Sequence, residues 1–187
     1  MDEAVLLFVN GLRTPALDGA VSFLSDWGLF GYLLVLAGIG AARRTKKDLA
    51  AMRDGWLTFF VTLFVADGIL KPIVRRARPS ALASLSHSLH VLGTVPPATS
   101  FSFPSGTSAA CVAGASWIWL RYGPRAGSVA LVCAILLALT RLYVGVHWPS
   151  DVIGGGLLGA AVAFGIDRLS RRIDAMPGEL RSDGRDA

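Results

Sequence analysis

Apolar residues in this chain come in runs, and Lys and Arg punctuate those runs. A bilayer core takes about 20 apolar residues per helix, fewer where a helix is short or partly interfacial. Five segments meet or nearly meet that length. They are 27–42, rich in Leu and Gly; 55–70, with the single acid Asp67; 105–120; 126–140; and 152–166. The third and fourth are separated by a short turn, Arg121-Tyr122-Gly123-Pro124-Arg125. The fifth carries Gly154, Gly155, Gly156 and Gly159 on or near one face, where small residues let a neighbouring helix approach closely. Residues 4–12 are apolar but too short to cross and read as an interfacial helix. Thr14-Pro15 opens a second short helical piece that continues to Asp26. From Arg168 onward the chain is polar, with Pro177, Gly178 and Gly184, and reads as a flexible tail. There is no internal repeat. The expected fold class is therefore an all-α integral membrane protein. It is a helical bundle of about five transmembrane helices plus short N-terminal interfacial helices. Its expected organisation is 1–26 interfacial, 27–167 transmembrane core, and 168–187 cytoplasmic tail.

Composition agrees with that pattern. Of 187 residues, 53% are hydrophobic and only 17% charged, against about 25% charged in an ordinary soluble domain. This excludes a disordered chain and argues against a soluble enzyme. The net charge of +5 and the sequence pI near 9.8 invite a nucleic-acid reading. A nucleic-acid binder, however, clusters its cations on a soluble face, so no nucleic-acid partner is expected. Cys111 and Cys133 lie within apolar runs, lack metal-ligand spacing, and read as buried free thiols. Met1-Asp2-Glu3 carries acid where a secretory signal carries base, so no cleavable signal is expected.

Five crossings put the two ends of the chain on opposite sides, and the positive-inside rule orients them. One side holds Arg43, Arg44, Lys46, Lys47, Arg53, Arg121, Arg125, Arg168, Arg171, Arg172, Arg181 and Arg185, twelve of the 18 cations. These should face the cytoplasm. Arg13, Lys71, Arg75, Arg76, Arg78 and Arg141 then face outward, together with the connections 71–104 and 141–150. The expected localisation is multi-pass in a cell inner membrane or plasma membrane.

Three outward segments carry candidate chemistry. After the second span, Lys71 through Pro79 places four cations at a membrane face against the usual bias, which an anionic ligand would explain. The third span opens on Phe103-Pro104-Ser105-Gly106-Thr107, which exposes backbone N–H groups at the positive end of a helix dipole. After the fourth span, Arg141 can form a bidentate pair with phosphate oxygens. His147 and Asp151 are four residues apart, close enough for the carboxylate to hold one imidazole nitrogen and leave the other as a nucleophile. Asp67, the one acid clearly within a span, stands four residues before Lys71 and can pair with it.

Together these segments resemble the type 2 phosphatidic acid phosphatase superfamily, in its membrane lipid phosphatase branch. That superfamily also includes acid phosphatases and vanadium haloperoxidases. Its tripartite signature is Lys, six residues, Arg-Pro; then Pro-Ser-Gly-His; then Ser-Arg, five residues, His, three residues, Asp. The first part falls on Lys71, Arg78 and Pro79, the second on Pro104, Ser105 and Gly106, and the third on Arg141, His147 and Asp151. The stretch from Asn10 to Asp18 is similar to the family's short pre-membrane segment, and the resemblance covers about 10–167. It implies that Lys71, Arg78 and Arg141 clamp the phosphate with the Ser105 hydroxyl and the Gly106 N–H. It further implies that His147 attacks phosphorus to form a phosphohistidine, and that Asp151 fixes the tautomer. Three cations and a helix N-terminus stabilise a phosphoryl transition state electrostatically, so no cofactor and no metal are expected.

The chain departs from the signature twice. Thr140 stands for Ser and keeps a hydroxyl. Thr107 stands where the family has the His that protonates the leaving oxygen, a contribution worth roughly 10²–10⁴ in rate. Three accounts remain open. A lipid monophosphate, with its second pKa near ~6, leaves far more readily than an alkoxide, which favours a polyprenyl diphosphate substrate. His87 or His90 from the outer loop could compensate, though both read more simply as exposed loop residues. Finally, the protein could be a weakened, binding-only homologue. The expected function is thus a membrane lipid phosphatase acting on a phosphate or diphosphate headgroup. A non-catalytic lipid-phosphate binder, or a phosphatidate or phosphatidylglycerol phosphate phosphatase, is the alternative. Its partners are a lipid phosphate and the bilayer, and nothing in the sequence fixes an oligomeric state. A transporter would want more ionisable residues within the spans.

Overall fold

Many exposed positions along the helices are large and apolar and several enclosed ones are polar, the reverse of a water-soluble protein. Phe60, Phe64, Val129, Val132, Leu136, Ile153, Leu157 and Phe164 are exposed, whereas Thr58, Thr62, Ser105, Ser108, His147 and Asp151 are buried. A hydrocarbon environment accounts for that inversion, since it accepts apolar side chains and requires polar groups to find partners inside. Thr58 and Thr62 do so by donating their hydroxyls to the carbonyls of Asp54 and Thr58 at 2.7 and 2.6 Å.

The structure is a computed structural model that describes residues 1–25, 46–85, 87–93 and 100–175. Every regular element among the described residues is helical. Helix α1 spans Asp2–Gly11 and α2 covers 15–25. Helix α3, Lys46–Leu63, runs into a π-helical stretch, Phe64–Leu70, and then a short α4, Lys71–Val74. Helix α5 spans Gly106–Tyr122, α6 Pro124–Tyr143 and α7 Pro149–Asp174. The expected span at 27–42 and the end of the chain from 176 lie outside the described residues.

Among the described residues, three helical stretches are long and apolar enough to cross a membrane: one within Ala50–Leu85, together with α6 and α7. Helix α5 rises about 26 Å at 1.5 Å per residue, slightly short of a hydrocarbon core. It lies between α6 and α7 with α3 beside it. Its Ala109, Ala110, Cys111 and Ala113 are wholly enclosed. The α7 glycines are what allow this. A Cβ on Gly155 would lie 2.4 Å from the Ser105 carbonyl oxygen, and one on Gly159 2.1 Å from that of Ala109. Close packing is therefore the role of these two positions.

Two expectations change. Helix α7 continues through 168–174, inside the stretch read as a tail. Arg171 pairs with Asp167 at 2.8 Å, and the hydroxyl of buried Ser170 donates to Asp54, which ties this polar turn to α3. Cys111 is buried as expected, but Cys133 is exposed on α6. An apolar run has a lipid-facing side as well as a core-facing one, and residue type does not tell them apart.

Helix α1 lies across the ends of α6 and α7. Leu6 is enclosed by Leu85, Leu89, Leu142 and Trp148. Buried Asn10 donates to the carbonyls of His90 and Tyr143 at 2.8 and 2.7 Å and accepts from the His90 N–H at 2.9 Å. Arg13 pairs with Asp18 at 2.8 Å, and the Tyr143 hydroxyl donates to the same carboxylate. The amino-terminal segment thus closes over the end of the bundle where the signature residues sit.

Candidate active site

The three signature segments meet through backbone bonds as well as side chains. The Ser105 N–H donates to the Asp151 carbonyl at 3.0 Å, joining the starts of α5 and α7. The Ser102 N–H donates to the Arg76 carbonyl at 2.8 Å, and the Trp148 indole donates to Ala77 at 3.0 Å. Gly145, at φ +81, supplies the left-handed turn between α6 and α7 that delivers His147.

His147 is buried, and its Nε2 lies 3.1 Å from Nη1 of Arg78. A guanidinium only donates, so this contact makes Nε2 the acceptor and puts the imidazole proton on Nδ1. Nδ1 faces Asp151 Oδ2 at 3.6 Å, close enough for electrostatic attraction but beyond hydrogen-bond length. Burial, followed by the positive charges of Arg78 and Arg141, pushes the imidazole down to about 4 against the opposing pull of Asp151. The ring is therefore neutral, with its lone pair on Nε2.

Asp151 has no solvent exposure, and both of its oxygens are occupied. Oδ1 accepts from Arg76 Nη1 at 2.7 Å and Oδ2 from the Trp148 N–H at 2.9 Å. Arg78 is held just as firmly. Its Nε donates to the Ser100 carbonyl and hydroxyl at 3.2 and 3.0 Å, and Nη1 also reaches the Val146 carbonyl at 3.0 Å.

Ser105 caps α5, its hydroxyl accepting from the Ser108 hydroxyl at 2.9 Å and, more weakly, from the Ser108 N–H at 3.4 Å. The N–H groups of Gly106 and Thr107 precede the first intrahelical bond and mark the positive end of the dipole. The Asp67 carboxylate lies on that helix start, its oxygens 3.1 and 3.2 Å from where a Gly106 Cβ would stand. Asp67 also pairs with Lys71 at 2.5 Å, the pairing their spacing predicts. Both residues flank the end of the π-helical stretch, a distortion frequent at functional sites. Arg141, in the last turn of α6, donates to the Ser25 hydroxyl at 2.5 Å, and its charge acts on His147. Thr107 is half-buried at the second position of α5.

Sequence reasoning missed Arg76 and Asp2. Arg76 bridges Asp151 and Asp2, at 2.7 and 2.8 Å, with its guanidinium 5.3 Å from the centre of the Trp148 ring. Asp2 also accepts from the Ser150 N–H and hydroxyl. Partial burial pushes the Asp2 carboxyl up, but the hydrogen bonds from Ser150 and Arg76 outweigh it and hold the group below its ordinary value. The only sequence signal for Arg76 is its place in a cationic run, and there was none for Asp2. His87 and His90 are both exposed, and the His90 charge acts on Asp18 rather than on His147.

A buried neutral histidine with a carboxylate facing one ring nitrogen and an arginine on the other is an arrangement that can serve phosphoryl chemistry. The PAP2 superfamily profile matches residues 55–173. The chain belongs to that superfamily, in its membrane lipid phosphatase branch. It is 28% identical over 165 residues to an undecaprenyl-diphosphatase of Sulfolobus acidocaldarius, covering 83% of this chain and 72% of the relative. It is 30% identical over 187 residues to phosphatidylglycerophosphatase B of Bacillus subtilis, covering 92% and 84%. The crystal structure of a transmembrane PAP2-type phosphatidylglycerolphosphate phosphatase from Bacillus subtilis superposes with a TM-score of 0.69. That match has 25% identity and covers 94% of this chain and 87% of that one.

Proposed function

We propose that this membrane lipid phosphatase hydrolyses a diphosphate-linked lipid, a polyprenyl diphosphate before other lipids, through a phosphohistidine formed on His147. Nε2 of His147 attacks phosphorus, the bond to the leaving oxygen breaks, and water then releases inorganic phosphate from the histidine. Lys71, Arg78 and Arg141 hold the phosphoryl oxygens with the Ser105 hydroxyl and the Gly106 N–H, and Asp151 stabilises the imidazolium as it forms. The observation that carries this reading is the setting of His147, whose Nε2 lies 3.1 Å from the Arg78 guanidinium and whose Nδ1 faces Asp151 at 3.6 Å. The preference for a diphosphate follows from Thr107, because a phosphate leaving group needs protonation least. The relative named for undecaprenyl diphosphate supports it. The positive-inside rule puts the reaction on the extracytoplasmic face.

Phosphate release from the detergent-solubilised protein tests this reading, with a polyprenyl diphosphate and a phosphatidate compared side by side. The diphosphate should turn over faster, and His147→Ala should abolish turnover of both. Turnover that survives in the variant overturns the mechanism. Lipid-phosphate binding without turnover in the wild type would mark a binding-only homologue.

A further inference from the structure

Position 107 gives the leaving oxygen no proton donor, yet a carboxylate stands beside it. We propose that Asp67 is the proton donor when the leaving group is a lipid alkoxide, in place of the imidazole that position 107 lacks; this rests on the phosphatase reading above and adds slower monoester turnover to the diphosphate it favours. Asp67 lies against Gly106, the residue next to Thr107, with its oxygens 3.1 and 3.2 Å from a Cβ position there. It touches Lys71 at 2.5 Å, and with Asp151 it is one of the two carboxylates whose charge acts on Arg78. Two parts of the proposed phosphate clamp, Gly106 and Lys71, therefore lie against this group, and a third, Arg78, feels its charge. Asp151 cannot serve, because Arg76 and the Trp148 N–H occupy its oxygens and it has no exposure. The Asp67 side chain is 48% exposed, open to an incoming ligand.

The protons balance as follows. A phosphate monoester near its second pKa of about 6 arrives carrying one proton. Lys71 turns from Asp67 to the phosphoryl oxygens. The proton passes from the substrate's phosphoryl oxygen to the Asp67 carboxylate oxygen that Lys71 has left. Nε2 of His147 bonds to phosphorus, the P–O bond breaks with its electron pair on the leaving oxygen, and Asp67 protonates that oxygen. The Asp67 carboxylate then accepts a proton from the water that attacks the phosphohistidine. It returns that proton as inorganic phosphate departs, and His147 regains its lone pair.

The test uses the full chain in detergent with two substrates, a long-chain alkyl phosphate and an aryl phosphate such as p-nitrophenyl phosphate. The alkoxide needs a proton and the nitrophenolate hardly does. Asp67→Asn should slow the alkyl substrate by about 10²–10⁴-fold and the aryl one by less than about tenfold. The ratio is read within one variant, so partial unfolding does not alter it. Adding Thr107→His to Asp67→Asn should recover the alkyl rate at least tenfold. Equal loss on both substrates overturns the proposal and leaves Asp67 as a partner of Lys71. So does failure of the histidine to rescue a double variant that melts with the wild type. Turnover surviving in His147→Ala would instead overturn the functional reading, whatever Asp67 does.

Discussion

Replacing Gly159 by Ala tests whether helix contact sets the geometry of the site. A Cβ at 159 would stand 2.1 Å from the Ala109 carbonyl oxygen and 2.8 Å from the Ala113 nitrogen. Both are main-chain atoms and cannot rotate away. Ordinary contact begins near 3.4 Å, so α5 and α7 must part by about 1.3 Å. Overpacking of this kind costs about 1–3 kcal/mol. The separation also pulls on the 3.0 Å bond from the Ser105 N–H to the Asp151 carbonyl, which registers the start of α5 against the carboxylate behind His147. A misplacement near 1 Å costs roughly 10² in rate. Gly165→Ala, on the same helix with nothing within 4 Å of its Cβ position, is the matched control. It should gain up to about 1 kcal/mol from helix propensity. Thermal melting in detergent and phosphate release, measured on both variants, decide the matter. If Gly159→Ala melts with Gly165→Ala and keeps its rate, the close contact does not govern the site.

Two further predictions follow from the same region. His147, held near 4 instead of 6.5, stays neutral in the folded protein while the unfolded chain takes up a proton. Its contribution to stability is therefore complete above about pH 6.5 and lost as pH falls toward 4, and the acid limb of kcat/KM due to this group should lie near 4. A limb near 6.5 that tracks His147 would refute the assignment. Asn10→Ala strips partners from the His90 and Tyr143 carbonyls and should cost about 1–3 kcal/mol. Hydrogen exchange at the His90 amide should accelerate, and unchanged protection would show that Asn10 is not what holds the 87–93 segment.

Much of the site was legible because its chemistry is local in sequence. The four-residue spacing of Asp67 with Lys71 places that pair on neighbouring helical turns, and that of His147 with Asp151 straddles the start of α7. The candidate anion site at Ser105 and Gly106 follows from a cap and a helix start. Arg76 was not legible. Its partners lie about 75 positions away in both directions along the chain, and only the assembled bundle brings Asp2 and Asp151 together on one guanidinium. Asn10 is hidden for the same reason. The extent of α7 was misjudged because the reading stopped where apolarity stopped. The last turns are held instead by ionic and hydroxyl contacts from Asp167, Arg171 and Ser170. The exposure of Cys133 depends on which side of α6 meets a neighbour, which composition does not encode.

The resting site is also a set of exchangeable pairs. Lys71 is held by Asp67, and the lone pair of His147 is held by Nη1 of Arg78. On the proposed reading, the guanidinium that quiets the nucleophile is the one that must receive the phosphate. A phosphoryl oxygen accepting from Arg78 makes a charge-assisted bond, roughly twice as strong as the bond to a neutral ring nitrogen. The exchange is therefore downhill for a phosphate. A water molecule, being neutral, offers no such gain. Arrival of the phosphate would at once anchor it and uncover Nε2 beside phosphorus, so the lone pair would be released by the group it is to attack. The same logic explains why a site so rich in cations keeps its carboxylates close. Asp67 and Asp151 offset that charge through their pairs with Lys71 and Arg76. Of the two, Asp67 is the one with an open face, whereas both oxygens of Asp151 are already occupied.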